Sequence, residues 1–580
     1  MRYPILSVQN ASRQMVDVFK GYNHNLRISD GEFYAMTNLT SDHYPVLSPR
    51  GKRNVYVSAT SPQGMISKDA LCYVDGSKFI INEYPVDMGL SSDGPKQLIS
   101  MGAYVIILPD KKWINTKDLT KYGDIEATYT SSSTVTFELC NITGDLYANA
   151  PASDTAPSSP ANMAMWIDTS STPHTLKQYS TTSQMWVSIA TTYIKISATG
   201  IGAAFEQYDG VNISGIVSNS LKDLNASMVI WAKTDNSIVV TGILDAVTQQ
   251  TVSQGAITVE RTMPDMDFVV ESENRLWGCR YGLSDDGKVV NEIYACKLGD
   301  FKNWSCFMGV STDSYTVSLG TDGQFTGAIT HLGYPLFFKE NFVHKVYGNY
   351  PSNFQVQTTA CRGVQKGCDR SLAIVNETLF YKGRSGICAY DGSLPTEASY
   401  SLGNEAYSDA VGGGHGNKYY VSMKDSAGAW NLFVYDMAKG MWHKEDNFQA
   451  VAFCSCRGEM YAIDASSKQI VTMTGTEGSS DIEWMAQTGE LALSSPDMKY
   501  VSRLTVRMSM DIGATMKVYI QYDQENTWKQ VANMTGTSLR SFSFPIRPRR
   551  CDHMKLKFEG VGMCKIYSIT KTIEQGSEIS

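Results

Sequence analysis

In Leu379-Phe380-Tyr381-Lys-Gly-Arg-Ser-Gly-Ile-Cys388-Ala389-Tyr390-Asp391-Gly392, an apolar and aromatic run is followed by a short polar turn and a second apolar run that ends on Asp-Gly. The pattern recurs between residues 273 and 475, and its leading positions 336, 379, 419 and 460 are 43, 40 and 41 residues apart. A β-propeller blade, which has four short strands, repeats every ~40 to 45 residues. Because one repeat cannot bury its own faces, we expect the copies to stack into a ring.

The same pattern continues towards the N-terminus. Leu276-Trp277 lies 60 residues before position 336 and fits if one loop of its unit is longer. Two earlier hairpins, at residues 71–82 and 95–113, have the same character, and the first carries an Asp-Gly turn. The sequence therefore predicts an all-β chain whose propeller starts before residue 120, breaks off, and resumes near residue 266.

Four predicted domains follow from this organisation, because 580 residues are too many for one hydrophobic core. After residue 475 the repeat stops, and strands such as Lys517-Val-Tyr-Ile-Gln-Tyr522 alternate apolar with polar residues, as half-buried antiparallel strands do. The predicted domains are an N-terminal segment with the first blades (1–122), a β-rich insertion (123–265), the remaining blades (266–475) and a C-terminal β-sandwich (476–580).

The composition narrows the possible functions. The chain has 32 Tyr, 20 Phe, 10 Trp and 47 Gly with 19% charged residues, which suits a turn-rich all-β protein. The formal net charge is −8 and there is no long basic run, so we do not expect a sequence-reading nucleic-acid binder. We see no secretory signal at the N-terminus and no apolar run long enough for a membrane span, so we expect folding in a cytoplasm.

The predicted insertion is rich in Ser, Thr, Ala and Asn, and residues 149–160 are expected to be a Pro/Ser linker that does not pack. Three short strands follow, at residues 165–168, 176–179 and 185–189. They resemble small β modules of phage tail proteins, some of which bind glycans. Trp166 and Trp186 are therefore candidate glycan-binding residues, and the alternative is that they form the core of a small β decoration.

A second candidate site is basic. Arg547, Arg549 and Arg550 lie on the loop that starts at Pro545, where they could contact phosphates or an acidic partner protein. The alternative is that this run is simply solvated.

No catalytic signature is present, so the chain is predicted not to be an enzyme and to hold no cofactor or metal. The sequence lacks a G-x-S-x-G elbow, a P-loop, an H-E-x-x-H pair and an EF-hand loop. Gly412-Gly-Gly-His-Gly416 is interpreted as a connection between blades whose glycines supply positive φ. The histidines of the repeat region are interpreted as loop or strand-edge residues, and the twelve cysteines as small buried hydrophobes. A glycan-cleaving alternative stays open, because Asp523-Gln-Glu-Asn-Thr-Trp528 is similar to the Asp-box turn of sialidases.

Several stretches together resemble one family, the hub or nozzle proteins of short-tailed bacteriophages that are also called packaged-DNA stabilisation proteins. The resemblance covers the predicted propeller and sandwich, about three quarters of the chain, and leaves out the insertion. The stretches that carry it are Asn38-Leu-Thr-Ser-Asp-His-Tyr-Pro-Val-Leu-Ser-Pro-Arg50, Glu271-Ser-Glu-Asn-Arg-Leu-Trp-Gly278, Glu292-Ile-Tyr-Ala-Cys-Lys-Leu-Gly-Asp-Phe-Lys-Asn-Trp304 and His331-Leu-Gly-Tyr-Pro-Leu-Phe-Phe-Lys-Glu340.

This resemblance implies a homo-oligomeric ring, usually of six copies, in the virion tail below the portal. Such a ring retains packaged DNA until infection and then provides the channel for its ejection. Its expected partners are further copies of the chain, portal, head-completion and other tail proteins, and, transiently, the genomic DNA. The alternative function is a propeller tail protein that binds or cleaves a host surface glycan.

Overall fold

The computed structural model of the protein describes residues 11–132, 134–147, 150–218, 221–242, 256–284, 287–475, 482–491, 498–523, 525–547 and 549–575. Within these ranges the regular structure is β, apart from four one-turn 3-10 helices at Lys222–Leu224, Pro351–Asn353, Asp369–Ser371 and Tyr400–Leu402. No helix in the described part of the chain has the length and apolar character needed to cross a bilayer.

Most of the N-terminal strands join sheets built from distant parts of the chain. β1 and β3 pair with strands near the C-terminus, whereas β6 completes the last propeller blade. The six strands are β1 (Ala11–Val16), β2 (Gly21–Tyr22), β3 (Glu32–Thr37), β4 (Leu39–Thr40), β5 (Ser48–Pro49) and β6 (Val55–Ser58).

The first two blades follow directly. Each is a four-stranded antiparallel sheet, and the apolar runs Leu71–Val74 and Val105–Ile107 form the buried middles of their second strands. Their strands are β7 (Pro62–Lys68), β8 (Ala70–Asp75), β9 (Lys78–Ile81), β10 (Tyr84–Asp87), β11 (Gln97–Met101), β12 (Tyr104–Leu108), β13 (Lys112–Asn115) and β14 (Tyr122–Asp124).

The insertion consists of three four-stranded sheets that contribute to one apolar core. The sheets are ordered β15-β26-β22-β23, β16-β21-β25-β24 and β17-β18-β19-β20. Their strands are β15 (Ala127–Thr130), β16 (Thr136–Cys140), β17 (Ala152–Ser153), β18 (Met165–Asp168), β19 (Thr175–Ser180), β20 (Met185–Ser188), β21 (Tyr193–Ser197), β22 (Gly210–Ser214), β23 (Ser227–Val229), β24 (Ala232–Thr234), β25 (Ser237–Thr241) and β26 (Thr258–Arg261).

The prediction of an unpacked linker at residues 149–160 is wrong in part. Residue 149 lies outside the described residues, but β17 pairs in parallel with β18, and Ala150 belongs to the core of the insertion. Pro151 directly precedes this short strand, and its carbonyl accepts a hydrogen bond from the Ile167 amide. The Pro/Ser composition of the stretch therefore does not prevent its packing.

Five further blades follow the insertion. The leading positions of the sequence repeat all fall in the second strand of a blade, and the earliest of these blades has the longer loop, at residues 296–314. The strands are β27 (Phe268–Ser272), β28 (Arg275–Leu283), β29 (Val289–Ala295), β30 (Tyr315–Ser318), β31 (Phe325–His331), β32 (Tyr334–Lys339), β33 (Phe342–Tyr347), β34 (Gln355–Ala360), β35 (Ala373–Val375), β36 (Thr378–Lys382), β37 (Ile387–Tyr390), β38 (Thr396–Glu397), β39 (Tyr407–His415), β40 (Lys418–Asp425), β41 (Trp430–Asp436), β42 (Met441–Lys444), β43 (Ala450–Cys456), β44 (Glu459–Asp464) and β45 (Gln469–Thr472).

The described residues thus build seven blades that close into one propeller. The inner strands pack side by side around the axis, and β43 of the last blade contacts β7 of the first. The last blade contributes three strands from the end of the repeat, and β6 supplies its fourth by pairing with β45. The interrupted β-propeller predicted from the sequence is therefore present, and β6 of the N-terminal segment completes its last blade.

The interpretation of residues 412–416 as a blade connection is wrong. Gly412, Gly413 and Gly414 lie inside the inner strand β39. Only Gly416 of the five residues has a positive φ, at 54°. A Cβ on Gly412 would lie 2.7 Å from the Ser371 carbonyl oxygen, so these glycines serve the close approach of neighbouring blades.

The interpretation of the repeat-region histidines as edge residues also needs correction. His331, His344 and His443 lie within strands and are at most 4% exposed. Of the four, His415 alone is partly exposed, at the end of β39.

The C-terminal part is a sandwich made from a bent pair of long strands. The first half of β47 pairs with β51 and its second half pairs with β50. On its other side, β47 pairs with β48 along both halves. The buried side chains of both halves belong to one core, so the halves face each other. The strands are β46 (Glu483–Thr488), β47 (Lys499–Tyr522), β48 (Lys529–Phe544), β49 (Arg550–Cys551), β50 (Met554–Val561) and β51 (Cys564–Gln575).

Propeller and sandwich are continuous with each other. From β50 the sheet runs through β46, β3 and β2 to β42, an outer blade strand, and 13 strands are joined in this way. One apolar cluster extends from blade residues such as Phe380 and Phe433 through Phe33 to Val506 and Phe558. The two parts therefore share one sheet and one apolar core.

Candidate functional site

The C-terminal sandwich presents two unpaired strand edges. In its first half the order is β1-β51-β47-β48, so β1 and β48 lie at opposite ends of four strands. The 16 residues of β48 pair with β47 alone, and β1 pairs with β51 alone, among the strands that the structure describes. A row of unpaired N–H and C=O groups is a template to which a strand of another chain can add.

Both edges carry exposed apolar side chains. Met15 on β1 is 61% exposed and Leu539 on β48 is 46% exposed. Arg540 lies beside Leu539, with its guanidinium 4.5 Å from the centroid of the Phe542 ring. Both edges are thus partly apolar surfaces, and the β48 edge lies next to a positive charge; apolar and arginine side chains are common in subunit contacts.

The three predicted arginines lie together near the same edge. Arg547, Arg549 and Arg550 are all exposed, and Arg550 begins the short strand β49 beside β47. Arg549 forms an ion pair with Glu525 and holds the pKa of that carboxyl below its usual range. Among the described residues, Arg547 and Arg550 form no ion pair, so their charges are available to a partner or a phosphate.

The structure brings the two predicted tryptophans together on the outer face of the β17-β18-β19-β20 sheet. Their ring centroids are 5.3 Å apart, and Tyr179 lies 5.4 Å from Trp186 on the other side. Trp166 is only 4% exposed, and its Nε1 donates hydrogen bonds to the carbonyl and hydroxyl oxygens of Ser153. Trp166 is therefore a core residue of this sheet, and Trp186 is the tryptophan that a ligand can reach.

A small mixed cluster lies at one end of the sandwich. Asp523, Asp552 and His553 each offer a ligand atom within 4.8 Å of the others, a spacing that could hold a cation. The Asp523 carboxylate accepts a hydrogen bond from the Asp552 amide at 3.0 Å, and the His553 ring contacts Asp552. These contacts close the turn between β49 and β50, and the sequence reasoning did not identify them.

The sequence reasoning also missed a cavity on the propeller axis, which we call the axial cavity. It has a volume of about 630 Å³, and all seven blades contribute to its wall from their inner strands or the residues just before them. Polar and aromatic residues of this wall include Gln63, Gln97, Asp267, Asp369 and Phe453. Because these residues are far apart in the chain and share no motif, only the closed ring identifies them.

The chain has little detectable similarity to known proteins. No protein-family model matches it, and no curated protein matches it. Among solved structures, the exo-β-1,3-galactanase of Phanerochaete chrysosporium matches with 9% identity and a TM-score of 0.21, over 52% of this chain and 95% of that one.

Two other solved structures match to a similar degree. The acylaminoacyl peptidase of Pyrococcus horikoshii matches with 10% identity and a TM-score of 0.22, over 54% of this chain and 55% of that one. A family 43 arabinoxylan arabinofuranohydrolase of Bacillus subtilis matches with 8% identity and a TM-score of 0.16, over 53% and 95%. At TM-scores of 0.16–0.22 and identities of 8–10%, these matches show no shared activity or ligand.

Proposed function

We propose that the protein is a structural subunit of a ring in a bacteriophage tail, a hub or nozzle that retains packaged DNA and provides the channel for its ejection. The ring contains several copies, six by the resemblance of residues 38–50, 271–278, 292–304 and 331–340, and lies below the portal. The subunit is made in the bacterial cytoplasm and functions in the virion. The observation that carries the proposal is a continuous sheet in which β1 and β48, at opposite ends of four strands, each pair on one side alone among the strands that the structure describes.

A closed ring needs two different surfaces on each subunit that fit each other. β1 and β48 supply such a pair, because a four-stranded sheet with neighbours ~4.8 Å apart separates them by roughly 14 Å. The sheet that continues from β47 through β50, β46, β3 and β2 to β42 joins the edge strands to the propeller. A stiff subunit fixes the angle between its two edges, and that angle decides whether the ring closes.

The charge of the chain suits a channel for DNA. The formal net charge is −8, and an acidic wall repels phosphate, so DNA slides past it without being held. The exposed cations Arg547 and Arg550 lie on the sandwich beside the open edge, which favours contact with an acidic tail or portal partner.

The retention role is tested by making phage particles that lack the protein. We expect these particles to package DNA and then to lose it, so that added nuclease degrades the genome. Supplying the wild-type protein in trans should restore protection. Nuclease-resistant DNA in particles without the protein would contradict the proposal.

The role of the two edges is tested with charge variants. Met15→Lys and Leu539→Lys place a charge on an exposed edge, where the effect on folding is small but repulsion opposes strand addition. We expect both variants to remain folded monomers by mass photometry. Val289→Lys, at a position 78% exposed on a blade hairpin, is the matched control and should still assemble. If both edge variants assemble as the wild type does, these edges are not the contact between subunits.

A second candidate function is binding of a host surface glycan by the insertion. Trp186 and Tyr179 favour it, because two neighbouring, partly exposed aromatic rings can stack on sugar rings. Trp186→Ala should abolish binding to host polysaccharide and leave the thermal unfolding of the propeller unchanged. Retained binding in this variant would exclude the aromatic face as the site.

A further inference from the structure

The axial cavity has the size of a ligand site. Its volume of about 630 Å³ falls within the range of ~300–1,000 Å³ that is usual for small-molecule pockets. Its wall combines apolar side chains, among them Met65 and Phe453, with a few polar groups. This combination is typical of sites that bury a small ligand and orient it by hydrogen bonds.

One buried polar side chain in the wall lacks a partner. Gln63 occupies a bulge of β7, where the pairing with β8 shifts register between Pro62 and Gly64. Its side chain is only 6% exposed, and neither Nε2 nor Oε1 has a hydrogen-bond partner among the described residues. Burial of an unpaired amide is costly. Both amide atoms are covered in this structure, so a ligand that supplies a donor and an acceptor would stabilise a Gln63 side chain turned towards the cavity.

The charged groups of the cavity are matched. Lys111 Nζ lies 2.8 Å from the Asp265 carboxylate at the rim. Burial raises the pKa of Asp267 and that of Asp369, and the charges of Arg280 and Arg370 oppose this shift only in part. The wall carries three cations, Lys96, Lys111 and Arg370, and three carboxyl groups, Asp265, Asp267 and Asp369, so the cavity favours neither a strongly anionic nor a strongly cationic ligand.

We propose that the axial cavity binds a neutral, hydroxyl-rich ligand, namely one or two sugar units. Neighbouring hydroxyls can both donate and accept, which satisfies the two free atoms of the Gln63 amide. The carboxylates of Asp267 and Asp369 accept further charge-assisted hydrogen bonds from sugar hydroxyls. The Phe453 ring offers an apolar surface to the C–H face of the sugar.

The site is separate from both surfaces described above. The insertion leaves and re-enters the propeller at the rim, where Lys111 contacts Glu126 on one side and the Met263 carbonyl on the other. The aromatic face with Trp186 belongs to the insertion, and the β1 and β48 edges belong to the sandwich. Sugar binding in the cavity therefore depends neither on ring assembly nor on Trp186.

The first experiment uses the full chain with D-galactose, L-arabinose, D-glucose, lactose and cellobiose as probes. We expect at least one sugar to raise the unfolding temperature and to give a saturation-transfer NMR signal, in the wild type and in Trp186→Ala alike. Putrescine and inorganic phosphate are the charged controls and should do neither. Failure of every sugar, or binding of a charged probe in place of the sugars, would overturn the proposal.

The second experiment locates the site. Gln63→Met keeps the side-chain length and removes the unpaired amide, so it should raise the unfolding temperature of the free protein and weaken sugar binding at least about tenfold. Asp267→Asn and Asp369→Asn should weaken binding by a similar factor. Asp391→Asn, on an exposed blade turn, is the control and should bind normally. Unchanged binding in Gln63→Met and Asp369→Asn, or a lower unfolding temperature of free Gln63→Met, would contradict the assignment.

Discussion

Single glycines set the distance between neighbouring blades. A Cβ on Gly64 would lie 2.4 Å from the Lys96 carbonyl oxygen, and one on Gly414 would lie 2.5 Å from the Ile374 carbonyl oxygen. Both distances are shorter than any real van der Waals contact. Inner strands can therefore pack this closely only where the side chain is a hydrogen atom.

Gly412→Ala tests this role. Its Cβ would press on the Ser371 carbonyl and on the Tyr419 hydroxyl, which donates a hydrogen bond to that same carbonyl. We expect a loss of about 1–3 kcal/mol in the free energy of unfolding, measured by chemical denaturation. Gly320→Ala is the control, because its Cβ meets nothing within 4 Å and its φ is not positive. Equal stability of the two variants would contradict the account.

Two buried histidines make the propeller sensitive to acid. Burial lowers the pKa of His344 and of His443 to about 4, so both are neutral in the folded protein at neutral pH. The pKa in the unfolded chain is ~6.5, so the stabilisation is complete above that pH and is lost as the pH falls towards ~4. Each histidine accounts for roughly 3 kcal/mol over this window.

His344→Gln and His443→Gln should therefore reduce the fall in unfolding temperature between about pH 7 and about pH 5. The measurement is calorimetry at both pH values. His415→Gln, at a partly exposed strand end, is the matched control and should retain the wild-type pH dependence. If neither buried-histidine variant changes that dependence, other groups are responsible for it.

At the scale of elements, the N-terminal segment between β5 and β6 is held by ion pairs with the loop after β42. Arg53 lies 2.6 Å from Glu445 and 2.7 Å from Asp446, and its guanidinium is 4.7 Å from the centroid of the Phe448 ring. Its side chain is 11% exposed, and that of Glu445 is 7% exposed. The pairs fix the chain where it leaves the sandwich and enters the last blade.

Arg53→Met should cost about 3–5 kcal/mol in the free energy of unfolding, because it leaves the buried Glu445 without one of its cations. Chemical denaturation gives this value. Arg362→Met is the matched control, since the Arg362–Glu397 pair is about half exposed and should contribute at most about 1 kcal/mol. A similar small loss in both variants would show that the pairs do not hold the segment.

The sequence predicted the blades far better than it predicted their connections. Strand position in a blade follows from local apolar runs such as Tyr419-Tyr420, which are visible in the repeat. The pairing of β6 with β45 and of β3 with β46 joins residues more than four hundred positions apart. No local pattern encodes such partners, because they are selected only when the ring closes.

The candidate sites, too, could be predicted only where residues adjacent in sequence mark them. The basic loop with Arg547 could be read from adjacent residues, and the structure confirms only that it is exposed. A tryptophan side chain can bind a sugar, but Trp166 is buried by its contacts with β17 and with Trp186. Gln63 has no neighbour in sequence that marks it, and its unpaired amide becomes visible only in the closed propeller.

At the scale of the whole molecule, the propeller, the N-terminal segment and the sandwich form one continuous unit. A continuous sheet of 13 strands and a shared apolar cluster join them. The insertion has its own core and is attached at the rim of the axial cavity. This arrangement gives a stiff subunit with two open edges and one separate, attached module.

Mass photometry of the purified full-length protein tests the central claim most directly. A tail ring predicts a discrete species of several times the chain mass of 64.0 kDa, with about six copies expected. Negative-stain images of that species should show a closed ring with a central channel. A protein that stays monomeric at every concentration, and also in the presence of its portal and tail partners, would contradict the account.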